Sequence, residues 1–295
     1  MVQISSKIKR GTRRRQILLI AHCEVKVRTT NRNGKYAGSV SVIMAGVHGN
    51  EPCGIRAMVE VLSQTQIEYG TVHFIVGNPR ASNKKIRFTE MDLNRAFRRD
   101  LCYKEKSAYE RARAEHLKHY LDGASALLDI HSSGTPNSRP FVICEENALP
   151  IARMLPVEIM VSGFDAVCPG GTDEYMNRQG KIGICIECGQ NEDPQAITRA
   201  KEAILAFLEV RGHISERPQS KVSELNRRVK INMIYITRTN FVLAKAWPDF
   251  GYVNYGDLIG HDGGFPVYSE RDGVILFPDN CNTADEEAFY FGHDI

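Results

Sequence analysis

Apolar and polar positions along the chain fall into two alternating rhythms. SVSVIMA, residues 39–45, is a β-branched, apolar run between Gly38 and Gly46 and predicts a buried strand. The period then changes: Pro52 stands where a first helical turn tolerates proline, and Ile55, Met58, Val59 and Leu62 recur at the spacing of one helix face. The same cadence returns downstream. TVHFIV (71–76) predicts a strand, residues 105–121 a helix with Tyr109, Ala112, Leu117, Tyr120 and Leu121 on one side, and ALLDI (126–130) another buried strand. PFVIC (140–144) and IGICIE (182–187) follow as strands, and Asp193 caps a helix from Pro194 whose inner face carries Ile197, Ala200, Ile204, Phe207 and Leu208. Strands that alternate with helices predict an α/β sheet covered on both faces.

The pattern breaks near residue 211, where RGHISERPQSKVSELNRR is polar and has no clear period. Beyond it VKINMIYITRTNFVLAKAW is strand-like, and glycines from Gly251 to Gly273 cut the remainder into short segments. The expected organisation is an α/β domain over residues 1–210, opened by a basic segment at 1–15, a linker at 211–229 and a small β-rich domain at 230–295. A chain of 295 residues buries enough surface to hold together without disulfides. Eight cysteines with no paired spacing except Cys185 and Cys188 fit reduced thiols. On a strand those two point to opposite faces, which predicts core packing rather than a redox pair.

No apolar run approaches the length that spans a bilayer, and the N-terminus has no small-residue cleavage site after its short apolar stretch, so a cytoplasmic protein without a membrane segment is expected. A net charge of +3 is too small to imply a nucleic-acid partner. The basic residues are unevenly spread: Lys7 to Arg15 read as a solvated tail, whereas Arg80, Lys84, Lys85, Arg87, Arg95, Arg98 and Arg99 form a cluster suited to an anionic substrate or to surface ion pairs.

The stretch AGVHGNEPCG (45–54) lies at the carboxyl end of the first strand, where open α/β sheets form binding sites. His48 and Glu51, three apart between glycines, fit a metal-ligand pair and fit an ordinary strand-to-helix turn. His131 stands in the corresponding place after ALLDI, so parallel neighbours would bring both imidazoles to one edge of the sheet. Two histidines and a carboxylate are a catalytic rather than a structural zinc set. Asp129 would orient a ligand or cap local backbone groups. No Gly-x-Ser-x-Gly elbow supports serine hydrolysis.

GVHGNE (46–51), NPRA (78–81), DLNRAF (92–97), DIHSSG (129–134) and IECGQ (186–190) occur in the order seen in the succinylglutamate desuccinylase and aspartoacylase family, which is similar in fold to zinc carboxypeptidases. The resemblance runs from about residue 38 to the C-terminus. It implies a mixed, largely parallel α/β sheet flanked by helices with a smaller C-terminal all-β domain, and one Zn2+ per chain held by His48, Glu51 and His131. It implies that Arg80 helps polarise the scissile carbonyl, that Asn94 and Arg95 hold a substrate carboxylate, and that Arg178 and Tyr290 contact the substrate. Glu187 would be the proton carrier that activates a zinc-bound water; a carboxylate on a strand so apolar is costly unless a metal, water or cation compensates it.

The implied activity is hydrolysis of the amide bond of a small N-acyl amino acid, with an ester not excluded. Two alternatives share the same residues: a metallocarboxypeptidase that trims peptides, and a non-hydrolytic, metal-dependent binder of a small anion. The presence of Glu187 argues against the second, since a binder needs no proton carrier. The acyl group, the amino acid and the oligomeric state are not encoded in motifs of this kind.

Overall fold

The computed structural model describes residues 29–135, 137–215 and 224–295. The basic segment at 1–15 and part of the expected linker lie outside the described residues.

One eleven-stranded sheet runs through the molecule in the order β1-β3-β2-β4-β7-β5-β6-β8-β14-β13-β10. Its centre is built from β2 (Tyr36–Ala45), β3 (Tyr69–Val76), β4 (Ala126–Ser133) and β7 (Ile182–Gln190), all mutually parallel. β5 (Phe141–Cys144) runs antiparallel to β7 and leads through β6 (Ile159–Ser162) to β8 (Arg227–Ile236) in a second parallel block. The edges are antiparallel: β1 (Thr29–Asn33) on one side, and β14 (Glu287–Asp294), β13 (Gly273–Leu276) and β10 (Gly251–Val253) on the other. A separate antiparallel sheet near the C-terminus joins β9 (Phe241–Leu243), β11 (Leu258–Asp262) and β12 (Phe265–Tyr268).

Alternation along the central strands divides the core into two layers. Ile43, Ala45, Leu128, Ile130, Ile184 and Ile186 face α1 (Cys53–Gln64) and the long helix α5 (Pro194–Val210), while Val42, Met44 and Leu127 face α3 (Tyr109–Gly123) and the turn carrying Leu93 and Phe97. The N-terminus of α5 is capped by Asp193, whose carboxylate accepts from Gln195 N–H. Cys185 and Cys188 belong to different core layers, and the cysteines among the described residues are all free.

Two helix faces differ from the apolar pattern. α1 buries Cys53, Gly54, Ala57, Met58 and Val61; of the expected stripe Ile55, Met58, Val59 and Leu62, Met58 is buried and Ile55 and Leu62 pack partly buried against the core, so the buried face is rotated toward the small residues. Small residues let the helix settle close to the sheet: a Cβ on Gly54 would stand 2.8 Å from an Ile130 methyl. Helix α3 buries two charged side chains, Glu110 and Arg113, beside Ala114, Leu117 and Leu121. Arg113 donates to the carbonyls of Val76 and Gly77 at the end of β3, and Glu110 gathers donors from residues 89–91. Both are anchors for loops at the carboxyl edge of the sheet. Among the described residues no helix is long and apolar enough to cross a membrane.

Candidate active site

The carboxyl ends of β2, β4 and β7 lie side by side, and the chemistry-bearing residues emerge there. After β2 the chain turns at Gly46, whose φ of 67° favours glycine. Gly49 then passes so close to α2 (Pro79–Lys84) that a Cβ would sit 2.1 Å from the Ala81 carbonyl carbon. This tight path carries His48 and Glu51 back over the end of β4. His131 and Glu187 are register partners across β4 and β7, so their side chains leave the same face of the sheet.

His48 Nδ1 lies 2.7 Å from Glu51 Oε1, and His131 Nδ1 lies 3.0 Å from Glu51 Oε2. The two imidazoles stand edge to face with centroids 5.0 Å apart. Ligand atoms from His48, Glu51 and His131 all fall within 4.8 Å of one another, and all three side chains are buried. Each imidazole also has a carboxylate at its outer nitrogen: Asp92 Oδ1 is 3.1 Å from His48 Nε2, and Asp129 Oδ2 is 3.5 Å from His131 Nε2. Thr172 Oγ1 donates to that same Asp129 oxygen. At 3.5 Å Asp129 Oδ2 makes no hydrogen bond with His131 Nε2, which has no acceptor among the described residues.

Burial alone would pull the His48 and His131 imidazoles down. Glu51 and Asp92 more than offset it at His48, and Asp129 and Glu51 do so at His131, so both are held above the usual histidine range. Burial pushes Glu51 up, but the two histidines hold its carboxyl well below the usual range. Glu187 differs. Burial pushes it up to about 8, with the His131 charge acting against the shift and Glu51 reinforcing it. Its Oε2 is buried without a hydrogen-bond partner among the described residues.

These residues fit a divalent cation on their own geometry. Two imidazole nitrogens and a carboxylate converge on one buried space, and the outer ring nitrogen of His48 meets Asp92, the arrangement that orients a metal-ligating histidine, while Asp129 stands 3.5 Å from that of His131. Borderline-soft zinc suits this nitrogen and oxygen set.

The arginines are distributed differently from the sequence expectation. Arg80 is bound to Glu90 at 2.6 Å and lies over the Tyr109 ring, half exposed. The arginine that faces the trio is Arg87, with Nη1 3.9 Å from Glu51 Oε1 and Nε and Nη2 donating to Asp92 at 3.2 and 3.0 Å. Arg87 belonged to the basic cluster noted in the sequence, but nothing in the aperiodic run KKIRFTEMD distinguishes it from its neighbours. Arg178 contacts the Phe97 carbonyl, Glu174 and the Tyr175 ring, and no contact joins it to the trio.

Asn94 and Arg95 follow Asp92 in one 3-10 turn, where Asp92 Oδ1 accepts from Asn94 N–H at 2.8 Å. The Asn94 side-chain oxygen is buried without a donor among the described residues. Arg95 forks onto Glu287 at 2.8 and 2.7 Å, and Tyr290 donates to Glu287 at 2.7 Å. Strand β14 thereby reaches across to the turn that carries Asp92. Burial pulls Arg95 down, yet Tyr290 and Glu287 hold it well above its usual range.

The architecture is a mixed α/β sheet with a His-Glu-His cluster at the carboxyl ends of its parallel strands. The fold, taken alone, is similar to that of the succinylglutamate desuccinylase of Vibrio parahaemolyticus, which superposes with a TM-score of 0.70 at 17% identity, covering 88% of this chain and 82% of that one. Residues 37–211 match the succinylglutamate desuccinylase/aspartoacylase catalytic domain, and the chain belongs to that family. A probable aspartoacylase of Acaryochloris marina is 31% identical over 274 residues, covering 84% of this chain and 91% of the relative. An N-acyl-aromatic-L-amino acid amidohydrolase (carboxylate-forming) of Xenopus tropicalis is 26% identical over 182 residues, covering 55% of this chain, which spans 58% of that relative's length.

Proposed function

We propose that the chain is a zinc-dependent deacylase that hydrolyses the amide bond of a small, carboxylate-bearing N-acyl amino acid. The observation that carries the reading is the convergence of His48, Glu51 and His131 beside the buried carboxyl of Glu187, in a chain of the desuccinylase and aspartoacylase family. His48, Glu51 and His131 would hold the metal. When bound, a divalent cation supplies Lewis-acid polarisation of the carbonyl and makes water more acidic.

The remaining work falls to side chains. Glu187 takes a proton from the attacking water on its unpartnered Oε2 and passes it to the amide nitrogen as the carbon–nitrogen bond breaks, giving a carboxylic acid and a free amine. The upward shift of its carboxyl suits a group that must both accept and release a proton. Arg87, poised beside Glu51, opposes the negative charge that develops on the carbonyl oxygen, the role the motif NPRA had suggested for Arg80. Asn94 offers a buried side-chain amide, and Arg95 with Tyr290 a cationic, hydroxyl-bearing wall, for a substrate carboxylate.

The test is hydrolysis by zinc-loaded protein of N-acetyl, N-succinyl and N-formyl amino acids beside a panel of short peptides. Turnover concentrated on the acyl amino acids is expected. Preferential cleavage of ordinary dipeptides would replace the reading with a carboxypeptidase, and stoichiometric zinc without turnover of anything would replace it with a binder.

A further inference from the structure

A cleft of about 420 Å³ opens between α3 and α4 (Thr172–Asn177). Its charged lining is entirely cationic: Arg98 and Arg99 from the segment after Asn94 and Arg95, Arg111 and Lys118 from α3, and Arg178 from the end of α4. None of these five contacts His48, Glu51 or His131. Three carboxylates reach them from outside the lining: Glu105 pairs with Arg98, Glu115 with both Arg111 and Lys118, and Glu174 with Arg178. Five positive charges against three negative leave a surplus of two. A fourth acid nearby, Asp122, accepts the Tyr175 hydroxyl, and its backbone carbonyl is capped by the ammonium of Lys181.

Two further features mark unmet demand for an acceptor. The Arg98 Nε is buried and has no hydrogen-bond partner among the described residues. Arg99, an exposed member of the lining, has no carboxylate within ion-pair distance among the described residues and so no fixed counter-charge there. Guanidinium forks match phosphoryl oxygens two at a time, which a lone ammonium does not. The Tyr175 ring is already covered by Lys118 and Arg178, whose charges lie 5.5 and 5.4 Å from its centroid, so recognition here rests on charge rather than on stacking. The volume lies within the range of small-ligand sites and exceeds what one phosphoryl group fills.

We propose that this cleft is a second ligand site, separate from the hydrolytic centre, that takes the dianionic phosphoryl group of a small organic phosphate. The site stands whether or not the deacylase reading does. It is continuous in sequence with that centre, because the segment from Asp92 to Arg99 supplies Asn94 and Arg95 at one end and Arg98 and Arg99 at the other. Phe97 N–H, in its middle, is tied to the Gly170 carbonyl just before α4.

The test is calorimetric titration of the zinc-loaded full chain with glycerol 3-phosphate, a phosphomonoester dianion that carries no carboxylate. Saturable one-to-one binding is expected, weakened about tenfold or more in R99E/K118E. R99E alone, on an exposed side chain, should weaken it less and keeps the test open if the double variant does not fold. K201E, whose lysine pairs with Glu60 elsewhere on the surface, should bind as the parent does. Absence of saturable binding at about 10 mM ligand, a millimolar-or-weaker regime with no specific site, would overturn the proposal. So would binding that survives both R99E and R99E/K118E, which would lie at the metal or elsewhere. Equal binding of malonate with the same dependence on Arg99 and Lys118 would overturn the phosphoryl assignment.

Discussion

Glu110 and Thr89 are joined twice: one oxygen of the buried carboxylate accepts both the Thr89 backbone N–H and its hydroxyl, each at 2.7 Å. The other oxygen accepts from the N–H groups of Glu90 and Met91, and Asn78 Nδ2 adds a further donor. A helix residue thus holds the turn that delivers Asp92, Asn94 and Arg95. Glu110→Ala should leave these donors stranded and cost about 2–4 kcal/mol in urea unfolding. If Asn94 and Arg95 hold the substrate carboxylate as proposed, the variant should raise the Michaelis constant, with a smaller fall in kcat through the Asp92 contact to His48. A variant with unchanged stability and kinetics would show that the turn holds itself.

Arg87 and Arg80 separate cleanly. Arg87→Ala should lower kcat/KM by about 10²-fold, as loss of one group opposing a developing oxyanion does. Arg80→Ala should stay within about twofold, because its partners are Glu90 and Tyr109 and exposed pairs of this kind contribute little. The opposite ranking would return the role to Arg80.

Removal of the metal should be visible without any substrate. A cation that binds only the folded chain raises its stability by mass action, so chelation should lower the Tm of zinc-loaded protein by several degrees. His131→Ala should bind less than stoichiometric zinc by elemental analysis and show no chelator-induced shift. Glu187→Gln should keep both the zinc and the shift while losing about 10²- to 10⁴-fold in turnover. Zinc retained by the His131 variant at full stoichiometry would put the ligands elsewhere.

Asp165 predicts a pH dependence of stability remote from the trio. Burial, reinforced by Asp173, pushes its carboxyl up to about 7, although Asn177 donates to it at 2.9 Å. The folded chain therefore binds a proton that the unfolded chain, with an ordinary carboxyl near 4, has already released. Stability contributed by this group is intact at acid pH and declines as pH rises through the window from about 4 to about 7. Asp165→Asn should raise the Tm by about 2–4 °C at pH 8 and by nothing measurable near pH 4. Asp173, pushed up to about 6 mainly by burial, shifts in the same direction, so some slope should persist in the variant.

Strand positions and the trio were legible because each depends on a local pattern: an apolar run, a glycine-bounded turn, a histidine just past a strand. The order of the strands and the pairing of His131 with Glu187 come from the structure and had no local signal in the sequence. What escaped the sequence depends on packing between distant segments. The stripe on α1 looked like Ile55, Met58, Val59 and Leu62, of which Met58 is buried, yet Gly54 and Ala57 are the small residues on the buried face. Nothing in the sequence singles out Glu110 and Arg113 of α3, since apolar periodicity has no means of marking a buried charge whose partners are largely backbone groups 19 to 37 residues away. Arg178, named from the resemblance as a substrate contact, stands at the end of α4 against the Phe97 carbonyl and the Tyr175 ring.

The passage of one sheet from β6 into β8 also bears on how the chain tolerates being cut. Val161 and Val229 are register partners there, both wholly shielded, so removing the chain from β8 onward would leave β6 with a bare row of amides and carbonyls flanked by greasy side chains. An edge of that kind recruits the next molecule's strand, and a shortened protein would be lost to clumping before its chemistry could be assayed.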